Sequence, residues 1–245
     1  MKKNITKKIL LILIIIPFCL NAQTDTLNIK KNKKQGIIKK FIIPAGIISS
    51  GAIISGSNFE TDFQTNIRNF VGNNYFFKID DYIQYAPIAE MYTADLLGLK
   101  SKNDFYTQTK NLIISNITSV IIIYTLKKTT NKTRPNGLKD SFPSWHTTFA
   151  FTNATILYHE FKDSHPVFAY SGFVFAAATG TFRILNNKHW LSDVIAGAGI
   201  GILSANLVYH FQPLKNFNPF NKKLDISLMP NINDKEYGFY LIARF

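Results

Sequence analysis

The chain has 245 residues, of which 46% are hydrophobic and 18% are charged, and its formal net charge is +13. That length is enough for a large core and favours one domain. The single cysteine, Cys19, lies in the apolar N-terminal segment, which excludes disulfides, thiol chemistry and Cys/His metal sites from the rest of the chain. A basic chain without a nucleic-acid-binding motif suits anionic lipid surfaces or phosphorylated substrates, although a solvated basic face would give the same charge.

Residues 1–22 have the organisation of a secretory signal peptide. Four lysines precede an apolar run, Ile9–Leu20, that is short for a membrane span, and Ala22 is a suitable cleavage position. We expect cleavage and export from the cytoplasm; the alternative is an uncleaved anchor. Residues 23–40 form a strongly basic lead-in, which we expect to be flexible or to contact a membrane surface.

Residues 41–211 contain a series of segments that predict helices. The segment 58–81 predicts an amphipathic helix or a lid and contains a turn at Gly72. Gly197, Gly199 and Gly201 lower helix propensity, so they indicate tight contact with a neighbouring helix. The other predicted helices are Phe41–Ser57, Tyr82–Leu99, Tyr106–Leu126, Trp145–Phe161, Val167–Phe182 and Trp190–Phe211.

The tail, residues 212–245, changes to the alternation that is typical of strands. Leu224–Met229 and Tyr237–Phe245 alternate on either side of the turn-like segment Pro230–Glu236, which predicts a β-hairpin. One hairpin cannot close a barrel and no other segment alternates, so we interpret the hairpin as an appendage without an assigned function.

Basic and nucleophilic residues fall in three clusters at the ends of the predicted helices. In the last cluster His189 and Asp193 are four residues apart, one helical turn, so the carboxylate can hydrogen-bond the imidazole. Such a carboxylate fixes the ring tautomer and leaves the other nitrogen free to attack. A polar pair that caps the helix at Trp190 would have the same spacing. Arg183 ends the apolar run Phe173–Phe182, where a cation needs a partner.

The two earlier clusters add an acid and further cations. His146 follows Pro143 and Ser144 at the start of an apolar helix, where a histidine can protonate a leaving oxygen and helix N–H groups bind an anion. Ser144 could also be simply the helix N-cap. Lys127 and Arg134 suit phosphate oxygens, although a solvated surface position is the commoner role of each residue type.

Together the clusters resemble the signature of the type 2 phosphatidic acid phosphatase and vanadium haloperoxidase superfamily, over roughly residues 80–211. That signature is Lys-x6-Arg-Pro, Pro-Ser-Gly-His and Ser-Arg-x5-His-x3-Asp. The spacings within each motif are intact here, but Trp145 replaces the glycine and Phe182 replaces the serine. If this position needs a positive φ, Trp145 would be strained there. If only its main-chain N–H is used, we expect the Trp145 ring to crowd the pocket and make its entrance narrower or more apolar. The matching residues are Lys127, Arg134, Pro135, Pro143, Ser144, His146, Arg183, His189 and Asp193.

The resemblance implies an all-α fold, a helical bundle of about six core helices over residues 41–211, with the short hairpin appended. It also implies a phosphatase that needs no metal or other cofactor, and the residues agree because no Asp/Glu cluster near the motifs suits magnesium. His189 would attack phosphorus and form a phosphohistidine, Asp193 would orient it, and His146 would protonate the leaving group and then activate water. The phosphoryl group would be held by Lys127, Arg134, Ser144, Trp145 and Arg183.

The expected substrate is a phosphate monoester or diphosphate, in our leading interpretation that of a lipid on the periplasmic side of a membrane. A broad-specificity exported acid phosphatase on the same fold is the alternative. A vanadate-dependent haloperoxidase is disfavoured because such enzymes have much longer chains. A non-catalytic phospholipid-binding envelope protein is least expected, because all the acid–base residues are present. No nucleic-acid or protein partner is indicated.

The protein is expected to be membrane-associated or integral, and its number of spans depends on the leader. With a cleaved leader and spans beginning near Phe41, Tyr82 and Tyr106, the site would face the cytoplasm. A retained leader combined with a non-spanning Tyr82–Leu99 segment would place the site outside, and so would a bundle that does not span.

Overall fold

The computed structural model describes residues 33–214, 225–233 and 236–244, with side chains over residues 40–214. The predicted leader and most of the basic lead-in lie outside these residues. The chain divides into two compact units between Phe211 and Gln212. The expected all-α bundle is confirmed in the described part of the first unit, whose helices are α1 Lys33–Ile54, α2 Asn58–Val71, α3 Asp80–Ile83, α4 Ala86–Leu96, α5 Phe105–Thr130, α6 Trp145–Phe161, α7 Pro166–Leu185 and α8 Leu191–Phe211.

Local sequence signals explain where several of these helices begin and end. Ser57 caps α2 by accepting a hydrogen bond from the Glu60 N–H, while the Glu60 carboxylate accepts one from the Gly56 N–H at 2.8 Å. This reciprocal arrangement is close to a capping box. The Asp104 side chain caps α5 by accepting a hydrogen bond from the Thr107 N–H, and α5 ends at Thr130, where Asn131 follows as the C-cap in the left-handed conformation, φ 45°.

Two boundaries differ from the prediction. The single helix predicted over Tyr82–Leu99 is wrong, because the chain forms the short α3 and the separate α4. Pro87 in the first turn of α4 explains the break, since proline lacks the N–H that would continue the hydrogen-bond ladder from α3. In addition, α1 begins at Lys33, inside the lead-in that was expected to be flexible.

Helix α6 is buried along most of its length, and the glycines of α8 let neighbouring backbones approach closely. A Cβ atom added at Gly201 would lie 2.5 Å from the Thr148 main-chain oxygen on α6. One added at Gly199 would lie 2.9 Å from the Pro44 main-chain oxygen on α1. The tight contact predicted from the glycine spacing is therefore confirmed.

One apolar cluster fixes the end of the bundle that is remote from the sequence motifs. It joins the C-terminal halves of α4, α6 and α8, with Met91, Phe161 and Tyr209 among its buried members. The motifs lie at the opposite end, where α5 and α7 finish and α6 and α8 begin. The bundle thus carries four helix termini to one place.

Within the described residues, α5, α7 and α8 are long and apolar enough to cross a membrane. Residues 40–54 of α1 together with α2 would add a fourth crossing if they form one span, broken by an 84° bend. The segment Tyr82–Leu99 supplies no such helix, since α4 has only 11 residues.

The second unit contains strands β1 Asp225–Asn233 and β2 Glu236–Arg244, which pair antiparallel with Asp225 opposite Arg244. The turn predicted over Pro230–Glu236 is too long, because β1 continues to Asn233. The residues that would connect the strands, 234 and 235, lie outside the described residues, and the function of the hairpin stays unassigned.

Candidate active site

His189 and Asp193 form a buried pair where α7 gives way to α8. The Nδ1 atom of His189 lies 3.4 Å from Oδ2 of Asp193, a long hydrogen bond, and His189 is 1% exposed. The same Oδ2 accepts hydrogen bonds from the Trp190 N–H, at 2.9 Å, and from the Ser141 hydroxyl. Asp193 therefore caps its helix and also contacts the histidine, so both interpretations of the spacing hold.

The surroundings of His189 keep its imidazole neutral. Burial, together with the positive charges of Arg183 and Arg134, lowers the pKa of His189 to about 4, against the opposing effect of Asp193. At neutral pH the ring therefore carries one proton. With that proton on Nδ1, facing Asp193, the lone pair of Nε2 is available for attack.

His146 lies in the first turn of α6 and faces a second carboxylate. Its Nε2 is 3.2 Å from Oδ1 of Asp81, while its buried Nδ1 has no hydrogen-bond partner among the described residues. Burial and the charge of Arg183 lower the pKa of His146 to about 4, and Asp81 opposes this shift. The site therefore contains two His–Asp pairs.

Arg183 has the anionic partner that its position required. Its Nη1 donates to Oδ2 of Asp80 at 2.8 Å and lies 3.4 Å from Oδ1 of Asp81. Asn186 also donates to Asp80, at 3.0 Å, and Lys188 approaches the same carboxylate at 3.4 Å. Burial alone would raise the pKa of Asp80, but Arg183, Lys188 and Asn186 together outweigh it through their charges and hydrogen bonds, and the pKa is lowered.

Lys127 and Arg134 approach from the end of α5 and the loop after it. The Lys127 ammonium donates to the Asp140 main-chain oxygen at 2.5 Å. Arg134 sits in a tight turn whose main chain bonds Leu138, and its Nε is buried without a partner in the described part of the chain, as is that of Arg183. Burial and the charge of Arg183 lower the pKa of Arg134. Unpartnered guanidinium N–H groups suit an anion with several oxygens.

Ser144 and Trp145 connect the start of α6 to this site. Ser144 is fully buried and occupies the N-cap position without a side-chain cap; its N–H donates to the Asp193 main-chain oxygen at 3.0 Å. Trp145 opens α6 with helical backbone geometry, so the φ > 0 that would strain it is absent. Its side chain is 39% exposed.

Phe182 stands where the signature has serine and makes an aromatic contact instead. Its ring centroid lies 5.8 Å from that of Phe77. The main chain of Phe77 also exchanges two hydrogen bonds with the Asn186 side chain, at 2.8 and 2.9 Å. These contacts hold the segment that delivers Asp80.

The sequence interpretation missed several residues that the fold brings to the site. Asp80 and Asp81 come from a segment with no motif of its own, and Lys132 lies inside the first motif at an unspecified position. Lys132 reaches Oδ1 of Asp193 at 3.2 Å and Glu60 at 2.9 Å. The one signal in the sequence was the need of Arg183 for a buried anion. Among the described residues, no three His, Cys, Asp or Glu side chains are grouped to hold a metal ion.

A family model of the PAP2 superfamily matches residues 108–217. That segment contains every residue of the three motifs, and it is similar to the PAP2 superfamily. The resemblance inferred from the motifs is therefore confirmed. The three apolar helices mark the chain as a membrane-associated protein.

Curated and solved relatives are similar to parts of the chain. A lipid A 1-phosphatase of Porphyromonas gingivalis is 30% identical over 182 residues, which is 70% of this chain and 40% of that protein. The chain thus spans about two fifths of the length of this relative. Among solved structures, Aquifex aeolicus LpxE gives a TM-score of 0.48 at 23% identity, covering 64% of this chain and 98% of that chain. A transmembrane PAP2-type phosphatidylglycerolphosphate phosphatase from Bacillus subtilis gives 0.37 at 19% identity, covering 88% and 97%.

Proposed function

We propose that this protein is a metal-independent phosphatase that removes phosphate from a phosphorylated lipid through a phosphohistidine on His189. The observation that carries the proposal is the buried contact of His189 with Asp193, in a setting where the charges of Arg134 and Arg183 act on the same imidazole. The PAP2 match and the relative named as a lipid A 1-phosphatase support the same chemistry.

In the first step Lys127, Arg134 and Arg183 hold the phosphoryl oxygens at the start of α6. The neutral Nε2 of His189 attacks phosphorus, the bond from phosphorus to the leaving oxygen breaks, and His146 gives that oxygen its proton. The negative charge of the bound phosphate raises the pKa of His146, so that it carries this proton when substrate is present.

In the second step water regenerates the enzyme. His146, now neutral, takes a proton from a water molecule, whose oxygen attacks phosphorus while the bond to His189 breaks. Inorganic phosphate leaves and both histidines return to their starting states. Asp193 keeps the Nδ1 proton of His189 in place throughout and stabilises the charge that the ring acquires.

The proposed setting is the periplasmic side of a membrane, after export directed by residues 1–22. The apolar α5, α7 and α8 would hold the bundle in the lipid, and the shared end of the helices would present the site at the surface. A lipid A-type glycolipid phosphate is the first substrate to test, with other phosphorylated lipids beside it.

The test is phosphate release by the purified full-length chain in the presence of EDTA, for wild type and His189→Ala. His165→Ala is the matched control, because His165 precedes α7 at the other end of the bundle and makes no side-chain cap. We expect EDTA-resistant release that only His189→Ala abolishes, and an acid-labile, base-stable phosphoenzyme after quenching. Release that survives in His189→Ala, or no release from any substrate, would refute the proposal.

A panel of lipid and water-soluble phosphates decides the substrate class. Preference for a lipid phosphate presented in vesicles supports the proposed function. Equal hydrolysis of soluble phosphate esters would identify a broad-specificity acid phosphatase on the same fold.

A further inference from the structure

A partly buried lysine, at an unspecified position within the first motif, contacts the carboxylate behind His189. The Lys132 ammonium lies 3.2 Å from Oδ1 of Asp193, 2.7 Å from the Ser192 hydroxyl and within 3.0 Å of both carboxylate oxygens of Glu60. Its side chain is 16% exposed. It therefore joins two carboxylates, one from α8 and one from α2.

Glu60 is buried, and both of its carboxylate oxygens accept hydrogen bonds from main-chain N–H groups. It is 1% exposed, and its Oε2 accepts the Gly56 N–H at 2.8 Å. Its Oε1 accepts the Ser192 N–H, at 3.2 Å, in the first turn of α8. A carboxylate at a helix N-terminus is favoured by the helix dipole. Glu60 is thus fixed to the turn of α8 that carries Asp193.

We propose that Lys132 and Glu60 form a positioning pair that fixes the carboxylate of Asp193, and through it the ring of His189, for attack on phosphorus. The inference rests on the proposed function and adds two residues that act through another group without touching substrate.

The contacts of Asp193 explain why such a pair is needed. Its Oδ2 receives the Trp190 N–H and the Ser141 hydroxyl as well as the His189 ring, so that side of the carboxylate is fully engaged. The long 3.4 Å contact with His189 would lengthen or break after a small rotation of the carboxylate. Lys132 holds the opposite oxygen and prevents that rotation.

The charge of Glu60 matters as much as its position. Lys132 alone would make Asp193 a weaker partner for a protonated imidazole, and the negative charge of Glu60 offsets this effect. The other cations that act on Asp193 or His189 are Lys127 from α5, Arg134 from the following loop and Arg183 from α7, and Asp140 lies near the first two. Neither variant described below removes any of these cations.

The experiment measures the pH dependence of kcat/KM for Lys132→Met and Glu60→Gln in the full-length chain. Loss of the lysine charge stabilises protonated His189, so the acidic limb of the profile should move to higher pH. Loss of the glutamate charge should move it to lower pH. We expect kcat to fall about tenfold to hundredfold in Lys132→Met with KM changed less, because a misplaced nucleophile mainly slows the chemical step.

Three further variants separate positioning from folding. Lys132→Arg keeps the charge and should return the acidic limb to its wild-type position. The double variant Glu60→Gln/Lys132→Met should lose less activity than the two single losses combined, since the two residues act as one unit. Lys162→Met is the matched control, because Lys162 pairs with an exposed Asp163 at the far end of α6.

The proposal would be overturned if the acidic limb of the kcat/KM profile stays in place in both Lys132→Met and Glu60→Gln. It would also be overturned if the limb moves in the same direction in both variants. If Lys132→Met does not fold, Glu60→Gln and Lys132→Arg decide it, and an unmoved limb in Glu60→Gln refutes it. Failure of the proposed function is recognised separately, as hydrolysis that is absent in wild type or survives in His189→Ala. Active wild type, inactive His189→Ala and wild-type behaviour of both pair variants would refute the positioning role alone.

Discussion

Asp81 offers the sharpest test of how the site controls its proposed acid. Its Oδ1 lies 3.2 Å from Nε2 of His146, and its side chain is 42% exposed. At this separation the attraction between Asp81 and a protonated His146 is about 1.3 kcal/mol in a water-like dielectric and about 5 kcal/mol at an effective dielectric constant of 20. We take the lower figure because solvent reaches Asp81.

Substitution Asp81→Asn removes this attraction while keeping the shape of the side chain. An energy near 1.3 kcal/mol corresponds to a pKa of His146 lower by about one. Because the proposed mechanism needs protonated His146, the alkaline limb of the profile of kcat against pH should move to lower pH by about one. On that limb kcat should fall roughly tenfold, as each such step is a factor of ten.

The substitution should lower KM as well as kcat. Asp81 also lies 3.4 Å from Arg183 and 3.7 Å from Lys188, so its charge competes with a phosphate for the same cations. We therefore expect tighter inhibition by orthophosphate and a lower KM in Asp81→Asn, together with the lower kcat.

The assay is initial phosphate release from the preferred substrate across the pH range, with EDTA present. Asp163→Asn is the control, since Asp163 is an exposed carboxylate at the far end of α6. An alkaline limb that does not move, or that moves to higher pH, would show that Asp81 does not support the charge of His146.

Further predictions concern stability and access to the site. Asp80→Asn leaves the buried Arg183 without its closest counterion, so the free energy of unfolding should fall by about 3–5 kcal/mol, which thermal unfolding measures. An unchanged melting temperature would contradict this account of the pair. Gly201→Ala places a methyl group 2.5 Å from a main-chain oxygen of α6, whereas no atom of the described residues lies within 4 Å of a Cβ at Gly46. The first variant should lower the melting temperature and Gly46→Ala should not; equal melting temperatures would argue against close packing of α8. Trp145→Gly should raise kcat/KM for bulky lipid phosphates more than for small esters, because the half-exposed ring stands at the start of α6; an equal effect on both substrates would show that the ring does not restrict the entrance.

The spacing of the motifs was sufficient to predict the contacts that lie within one helix or at one helix end. His189 and Asp193 meet because residues four apart share a helix face, and Ser144 occupies the N-cap position because it directly precedes α6. The tight packing of α8 also followed from its glycines. The break between α3 and α4 was not predicted. The segment contains Pro87, but its apolar composition suggested one continuous helix.

What the sequence by itself determined is the set of motif residues, their helical setting and the chemistry that residues of these types perform. The tertiary structure decided which charges they meet: Asp80 for Arg183, Asp81 for His146, and Lys132 with Glu60 for Asp193. Asp80 and Arg183 are 103 residues apart, and Glu60 and Lys132 are 72 residues apart. Contacts over such distances have no periodic signal, because they depend on the register in which separate helices pack, and that register is set by side-chain shape across the whole bundle.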